Sequence, residues 1–279
     1  MKTNVPSDTP HTRPELLPSS APQEIADALT RVRARLGLFA GGLIWYTEVG
    51  STNDVAARLA DAGCAEGTVV SADHQTAGRG RQGRVWVSPP GAGLYVSIVL
   101  RPTREAAALL SLTAGLAICE GVQAASGLEP HVKWPNDVYI SSRKLAGVLA
   151  EAGTSAGGFQ HVVLGCGINV LPASFPPEVA HRATSIESEL GRPVDRGVVL
   201  AECLAALAAR YADLRAGRSA GVLDAWRSRA ALTFGRRVEW DAPGEVSSGR
   251  VEGVDDTGAL LVRTAAGVAR VVAGEVRWI

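Results

Sequence analysis

The run His74-Gln75-Thr76-Ala77-Gly78-Arg79-Gly80-Arg81-Gln82-Gly83-Arg84-Val85-Trp86 sets three arginines among three glycines. Glycines let a backbone approach a ligand closely and adopt positive φ. Guanidinium forks between them suit anionic oxygens, which they can grip in pairs. The composition fits a loop that holds a phosphate or a carboxylate. By composition alone it fits equally well a flexible surface loop or an arginine–glycine contact to nucleic acid. It is not a P-loop, because the GxxxxGK[ST] spacing is absent.

Two further strings flank a predicted hairpin: Lys133-Trp134-Pro135-Asn136-Asp137 and Arg143-Lys144-Leu145-Ala146-Gly147. The hairpin can bring Lys133 and Lys144 to one end of a sheet. Asn136 offers both a donor and an acceptor, and Asp137 a carboxylate that can take a proton or help hold a metal. The same residues also read as a proline turn with solvated charges. In Gly165-Cys166-Gly167-Ile168-Asn169, strand alternation puts Gly165, Gly167 and Asn169 on one face. The space left there suits either a ligand or a closely packed helix.

These strings need elements to hold them. Residues 1–21 are rich in Pro, Ser and Thr and offer little to bury, so they read as a disordered tail. A helix follows from Pro22 to Leu36, with Ser20 able to cap it and Gly37 to stop it. Leu43–Thr47 reads as a strand. Ser51-Thr52-Asn53-Asp54 then opens a helix with capping-box spacing. Strands at Thr68–Asp73 and Leu94–Leu100 bracket the arginine loop, and a long helix runs from about Arg104 to Ala125. Strands then recur at His131–Trp134, Val138–Ile140, Leu145–Glu151 and Gln160–Val170, with turns at Ser141-Ser142 and Gly157-Gly158. Such hairpins indicate an antiparallel or mixed sheet, not a doubly wound one. Helices at Asp195–Ala216 and Ala220–Ala231 close this part. From Arg237 onward only short strands and turn sequences occur, which reads as a small β-barrel over residues 232–279.

Composition narrows the classes. Lys+Arg and Asp+Glu both number 28, so there is no basic surplus for coating nucleic acid. Cys64, Cys119, Cys166 and Cys203 form no CxxC pair and lie near no histidine at metal spacing, which suits reduced thiols in a cytoplasmic protein. No apolar N-terminal stretch reads as a signal peptide. The most apolar run, Ala106 to Cys119, ends at Glu120 and falls short of the ~18 residues a bilayer span needs. The expectation is a soluble chain with no membrane partner.

In their order and spacing, five strings closely resemble the biotin protein ligase family: Ser51-Thr52-Asn53; Gly78 to Arg84 with Trp86; Lys133 to Asp137; Arg143 to Gly147; and Gly165 to Asn169. The likeness is strong over about Trp45 to Val170. It extends more weakly to Gly274-Glu275-Val276. It implies an α+β fold: a mixed sheet flanked by helices, similar to class II aminoacyl-tRNA synthetases, over residues 22–231, then a C-terminal SH3-like barrel. It implies an enzyme that makes biotinyl-5′-AMP from biotin and ATP, with Mg²⁺ carried by the ATP phosphates and no metal cage in the protein. Biotin would then pass to one lysine of the biotin carboxyl carrier domain of an acyl-CoA carboxylase.

By the same resemblance, Ser51, Thr52, Asn53, Gln75, Gly78, Arg79, Gly80, Arg81, Lys144 and Gly147 would bind biotin. Arg81, Arg84, Trp86, Asn136, Lys144 and Asn169 would bind ATP. Lys144, Arg81 and Asp137 would be catalytic, Lys144 touching both the biotin carboxylate and the α-phosphate. One helix and a proline-rich stretch before Leu43 are too little for the three-element DNA-binding head that some members carry. The expectation is a ligase without DNA binding, as a monomer or weak homodimer. The competing readings are a lipoate or octanoate ligase of the same fold, a non-catalytic biotin sensor, and a nucleic-acid-binding protein.

Overall fold

The computed structural model describes residues 17–279 except 156–157, 231–232, 243–244, 273 and 275. Most of the proline-rich segment therefore lies outside the described residues. Within its described end, Ser19 donates its backbone N–H to the Trp45 carbonyl (2.8 Å) and bridges to the first strand.

The first helix, α1 (Gln23–Arg31), is shorter than its periodicity predicts. Its N-cap is Pro22 with no side-chain cap, and tight 3₁₀ turns at Arg33–Arg35 and Gly37–Gly41 carry the chain on. Ile25 and Ala28 are buried all the same, and Val32 and Leu36 continue that apolar face through the turns. Strand β1 (Leu43–Val49), helix α2 (Thr52–Asp61) and strand β2 (Val69–Gln75) then form a parallel β-α-β unit. Ser51 is the N-cap of α2 but makes no side-chain cap bond, so the expected capping box does not form. Its hydroxyl is not tied up by the helix, and Asp54 turns to an arginine described below.

Strand β3 (Gly93–Leu100) leads into α3 (Arg104–Ser126). By length and composition α3 could cross a bilayer, since the helix runs past Glu120 to Ser126. It is instead a core helix. Leu110, Leu116, Cys119 and Val122 are buried, and Glu120 leaves the core sideways to pair with Arg210. The hairpins follow as β4 (His131–Lys133), β5 (Asp137–Ile140), β6 (Arg143–Ser155) and β7 (Gly158–Asn169). Sequence periodicity did not reveal the one-turn helix α4 (Ile186–Leu190), which Ser185 caps by accepting from the Ser188 N–H. Helices α5 (Arg196–Arg215) and α6 (Ser219–Arg229) complete the unit.

The seven strands form one mixed sheet in the order β1-β2-β3-β7-β6-β5-β4, parallel only between β1 and β2. Its two faces pack differently. One carries the large core shared with α1, α3, α5 and α6. The other carries a small core under α2, with Val70, Val99 and Val163 from the sheet and Val55, Ala56 and Ala60 from the helix. Residues two apart on a strand share a face. Moving along β3 and β7 on the α2 side, the paired Val99 and Val163 give way to the paired Ser97 and Gly165, then to Tyr95 and Gly167. The apolar packing thus stops, and a recess begins, within one strand repeat.

The C-terminal unit has β8 (Arg237–Ala242), β9 (Glu245–Val254), β10 (Leu260–Thr264), β11 (Gly267–Val271) and β12 (Val276–Trp278) in the antiparallel order β11-β10-β9-β8-β12. The last strand was not expected. The proposed boundary at 231–232 falls outside the described residues. The two sheets are joined through Trp134, whose indole N–H donates to the Gly258 carbonyl (2.9 Å), and through Thr233, whose hydroxyl donates to Val132 (3.2 Å).

Candidate active site

A cavity of about 790 Å³ opens on the α2 face of the sheet, where the packed core ends. Its floor is polar and internally bonded. Ser97 is fully buried on β3, and its hydroxyl lies 2.6 Å from Asn53 Oδ1 and 2.7 Å from Thr52 Oγ1. Thr52 gives its backbone N–H (2.8 Å) and its hydroxyl (3.1 Å) to Gln75 Oε1. The Gln75 amide donates onward to Ser88 Oγ (2.9 Å). Asn53 donates its Nδ2 to Glu151 Oε2 on β6 (2.6 Å). The glycines of β7 make this possible. A Cβ on Gly165 would stand 2.2 Å from Asn53 Oδ1, and one on Gly167 2.4 Å from the Trp86 ring. The space predicted for that face is filled by an amide and an indole.

The arginine loop over this floor is a hydrogen-bonded hairpin. Gln75 pairs with Ser88, and Arg79 with Val85. Gly80 N–H donates to Arg84 (2.7 Å), and Trp86 N–H to Gly78 (2.9 Å). Gln82 (φ 56) and Gly83 (φ 71) make its tight turn. Its arginines do different things. Arg79 grips Asp54 with both guanidinium nitrogens (2.6 and 2.8 Å) and lies 3.5 Å from Glu151. That pairing raises the Arg79 pKa and holds the Asp54 carboxyl below the usual range. Arg81 donates to Asn136 Oδ1 (3.2 Å) and to the Gly274 carbonyl of the C-terminal unit (3.2 Å). Arg84 lines the cavity wall.

Lys144, at the start of β6, completes the cationic side. Its Nζ lies 2.7 Å from Asp137 Oδ1, off the direction of a hydrogen bond, and 5.5 Å from the centre of the Trp86 ring. Its backbone is fixed on both sides, donating to Arg182 and accepting from Thr184 (each 2.9 Å). Asn136 donates to the Val148 carbonyl (2.7 Å), which turns its oxygen to Arg81. Asn169 is buried and donates to Thr184 (3.0 Å). The structure thus brings together Ser51, Thr52, Asn53, Gln75, Arg79, Gly80, Arg81, Arg84, Trp86, Asn136, Asp137, Lys144, Gly147 and Asn169. Gly78 is not among the residues of the cavity wall; its carbonyl accepts from the Trp86 N–H within the hairpin.

Several wall residues were given no site role in the sequence reading. Gly274 and Val276, quoted there only for the family likeness, and Trp278 come from the C-terminal unit. Lys133, in a quoted string but given no role, stands over the rings of Tyr139 and Trp278 at 5.0 Å each. Burial pushes the Tyr139 phenol up to about 12, helped by Asp137. Ser97 and Glu151, which do not line the cavity but bond its wall residue Asn53, were also overlooked. A lone serine in the apolar run Gly93–Leu100 was the available signal, because a buried hydroxyl needs partners. Among the described residues no group of three or more His, Cys, Asp or Glu is placed to hold a metal ion.

The cavity therefore joins a neutral hydrogen-bonding floor to a rim of lysine and arginine. Such a site suits a ligand with a polar, uncharged head and an anionic end, beside a second anion. A fold and site of this kind define the cofactor–protein ligases: the sequence profile described as the biotin/lipoate A/B protein ligase family matches residues 48–169, and that of the biotin protein ligase C-terminal domain matches 233–277. The biotin–[acetyl-CoA-carboxylase] ligase of Paracoccus denitrificans is 39% identical over 81% of this chain and 96% of its own length. The bifunctional ligase/repressor BirA of Bacillus spizizenii is 33% identical over 91% of this chain and 79% of its own. A structure of the Aquifex aeolicus biotin protein ligase in complex with biotin and ATP superposes with a TM-score of 0.75 at 31% identity, covering 86% of this chain and 99% of that one. The chain belongs to the biotin protein ligase family.

Proposed function

We propose that the cavity joins biotin to ATP and passes the activated biotin to a lysine of a biotin carboxyl carrier domain. The single observation that carries this reading is that Lys144 lines one cavity with the polar floor residues and the arginines of the hairpin. A carboxylate does not form an amide unaided, because its oxygen is a poor leaving group. Activation brings the biotin carboxylate to the α-phosphate of ATP. Two such charges ~4 Å apart repel by roughly 4 kcal/mol at an effective dielectric of 20. Lys144, with Arg81 and Arg84, offsets that repulsion. The carboxylate oxygen bonds to the α-phosphorus, pyrophosphate leaves, and biotinyl-5′-AMP results. The carrier amine then bonds to the acyl carbon, AMP leaves with its electron pair, and the amine loses a proton.

Ser51, Thr52, Asn53 and Gln75 supply hydroxyls and amides suited to the carbonyl and two N–H groups of the ureido ring. Asp137 holds Lys144 at rest and is the nearest carboxylate for the amine's proton. Trp86, Asn136 and Asn169 are the candidates for the nucleotide side. Among the described residues Asp137 is the one carboxylate in the cavity wall, so Mg²⁺ would arrive on the ATP phosphates, where it would supply charge neutralisation. The four cysteines are unpaired thiols, which supports a reducing compartment such as the cytoplasm.

Incubating the protein with ATP, Mg²⁺, biotin and a carrier domain tests the reading by mass spectrometry. The expected result is one biotin added to one lysine. A carrier left unmodified, or modified only when lipoate replaces biotin, contradicts it.

A further inference from the structure

We infer that Glu151 is a positioning residue for ligand recognition: its carboxylate sets which way the Asn53 amide faces, and so fixes the hydrogen-bonding pattern of the cavity floor. This rests on the reading of that floor as the biotin site. A carboxylate can only accept hydrogen bonds, so at 2.6 Å Glu151 requires the nitrogen of Asn53, not its oxygen, on that side. The Asn53 oxygen is thereby turned to the buried Ser97 hydroxyl at 2.6 Å, and must receive a proton from it. Ser97 also lies 2.7 Å from the Thr52 hydroxyl, and Thr52 gives its backbone N–H to Gln75, so Asn53 and Thr52 meet at one buried hydroxyl.

Without Glu151 the amide can turn over. Its NH₂ would then face Ser97, and a donor would stand where an acceptor was. A Cβ on Gly165 would stand 2.2 Å from the Asn53 oxygen, so the amide lies close against the strand that carries Gly165. Glu151 also reaches Arg79 at 3.5 Å, but Arg79 keeps both hydrogen bonds to Asp54 without it. The hairpin is therefore held independently, and the effect of Glu151 falls on the floor.

The test is biotin titration of the full chain by calorimetry, with thermal melting and the KM for ATP alongside. Glu151→Ala is expected to weaken biotin binding about tenfold, the scale of one hydrogen bond to a charged group. Its KM for ATP and its melting temperature should stay near those of the parent. Glu151→Gln should bind within about threefold of the parent, because its amide oxygen still accepts from Asn53. Asn53→Asp should bind poorly, with two carboxylates opposed, and Asn53→Asp combined with Glu151→Gln should recover binding, because donor and acceptor have exchanged places. Parent-like binding by Glu151→Ala, or no recovery in the double variant, overturns the inference. Failure of the parent chain itself to bind biotin overturns the site reading beneath it.

Discussion

The floor and the rim of the cavity are built on opposite plans. On the floor, Thr52, Asn53 and Ser97 are buried and bonded to one another before any ligand arrives. On the rim, Lys144 and Arg79 are about one-third exposed, and each is held by a carboxylate. Buried hydrogen bonds are costly to break, so the floor is rigid and selective. Partly exposed ion pairs are cheap to exchange, so Lys144 can trade Asp137 for the anionic groups of its substrates. Rigid recognition and exchangeable charge are thus separated by a few residues of β6: Lys144 at its start, Glu151 one end of the floor.

Variants can break that contrast in a definite order. Lys144→Ala should slow biotinyl-AMP formation by on the order of 10²- to 10³-fold, as loss of a preorganised charge at a developing one does; a near-normal rate in single-turnover assays would remove Lys144 from the role. Gly165→Ala places a methyl on the Asn53 amide. It should lower stability by about 1–3 kcal/mol, the usual cost of overpacking, and damage biotin binding with it. Melting and calorimetry on the same preparation would separate the two effects.

Arg81→Gly removes the contacts to Asn136 and Gly274 together. The adenylate should then escape about tenfold faster, on the scale of a charged hydrogen bond, and label bystander proteins. Unchanged labelling specificity would count against a role for Arg81 in retaining the adenylate. Arg79→Ala should matter least, costing below about 1 kcal/mol, since its pair with Asp54 is half exposed. The folded-state pKa of Asp54 is depressed, so this stabilisation is present above the ordinary Asp value near ~4 and is lost as pH falls through the lowered one. Melting curves across that acid range should show a larger loss in the parent chain than in Arg79→Ala.

Much of this was legible in the sequence because it was local. Strand alternation put Gly165, Gly167 and Asn169 on one face, and the hairpin through Ser141 set Lys133 and Lys144 toward one end of the sheet, where both line the cavity. What local pattern could not reveal was pairing at a distance. Asp54 reads as a capping residue, yet it is taken by Arg79, 25 positions on. Arg79 reads as an anion contact, yet its charge is already balanced. Gly274 and Trp278 reach the cavity because one sheet docks on the other, through the bonds of Trp134 and Thr233 and a shared apolar core. The α4 turn is too short for a periodic signal, and its Ser185 cap was the one clue to it.

The most direct test of the account is isotope exchange between pyrophosphate and ATP by the parent chain, with no carrier present. If floor and rim gather biotin and ATP into one adenylate-forming site, exchange will require biotin and disappear when it is omitted. Exchange that proceeds equally without biotin, or is absent with it, would contradict the account.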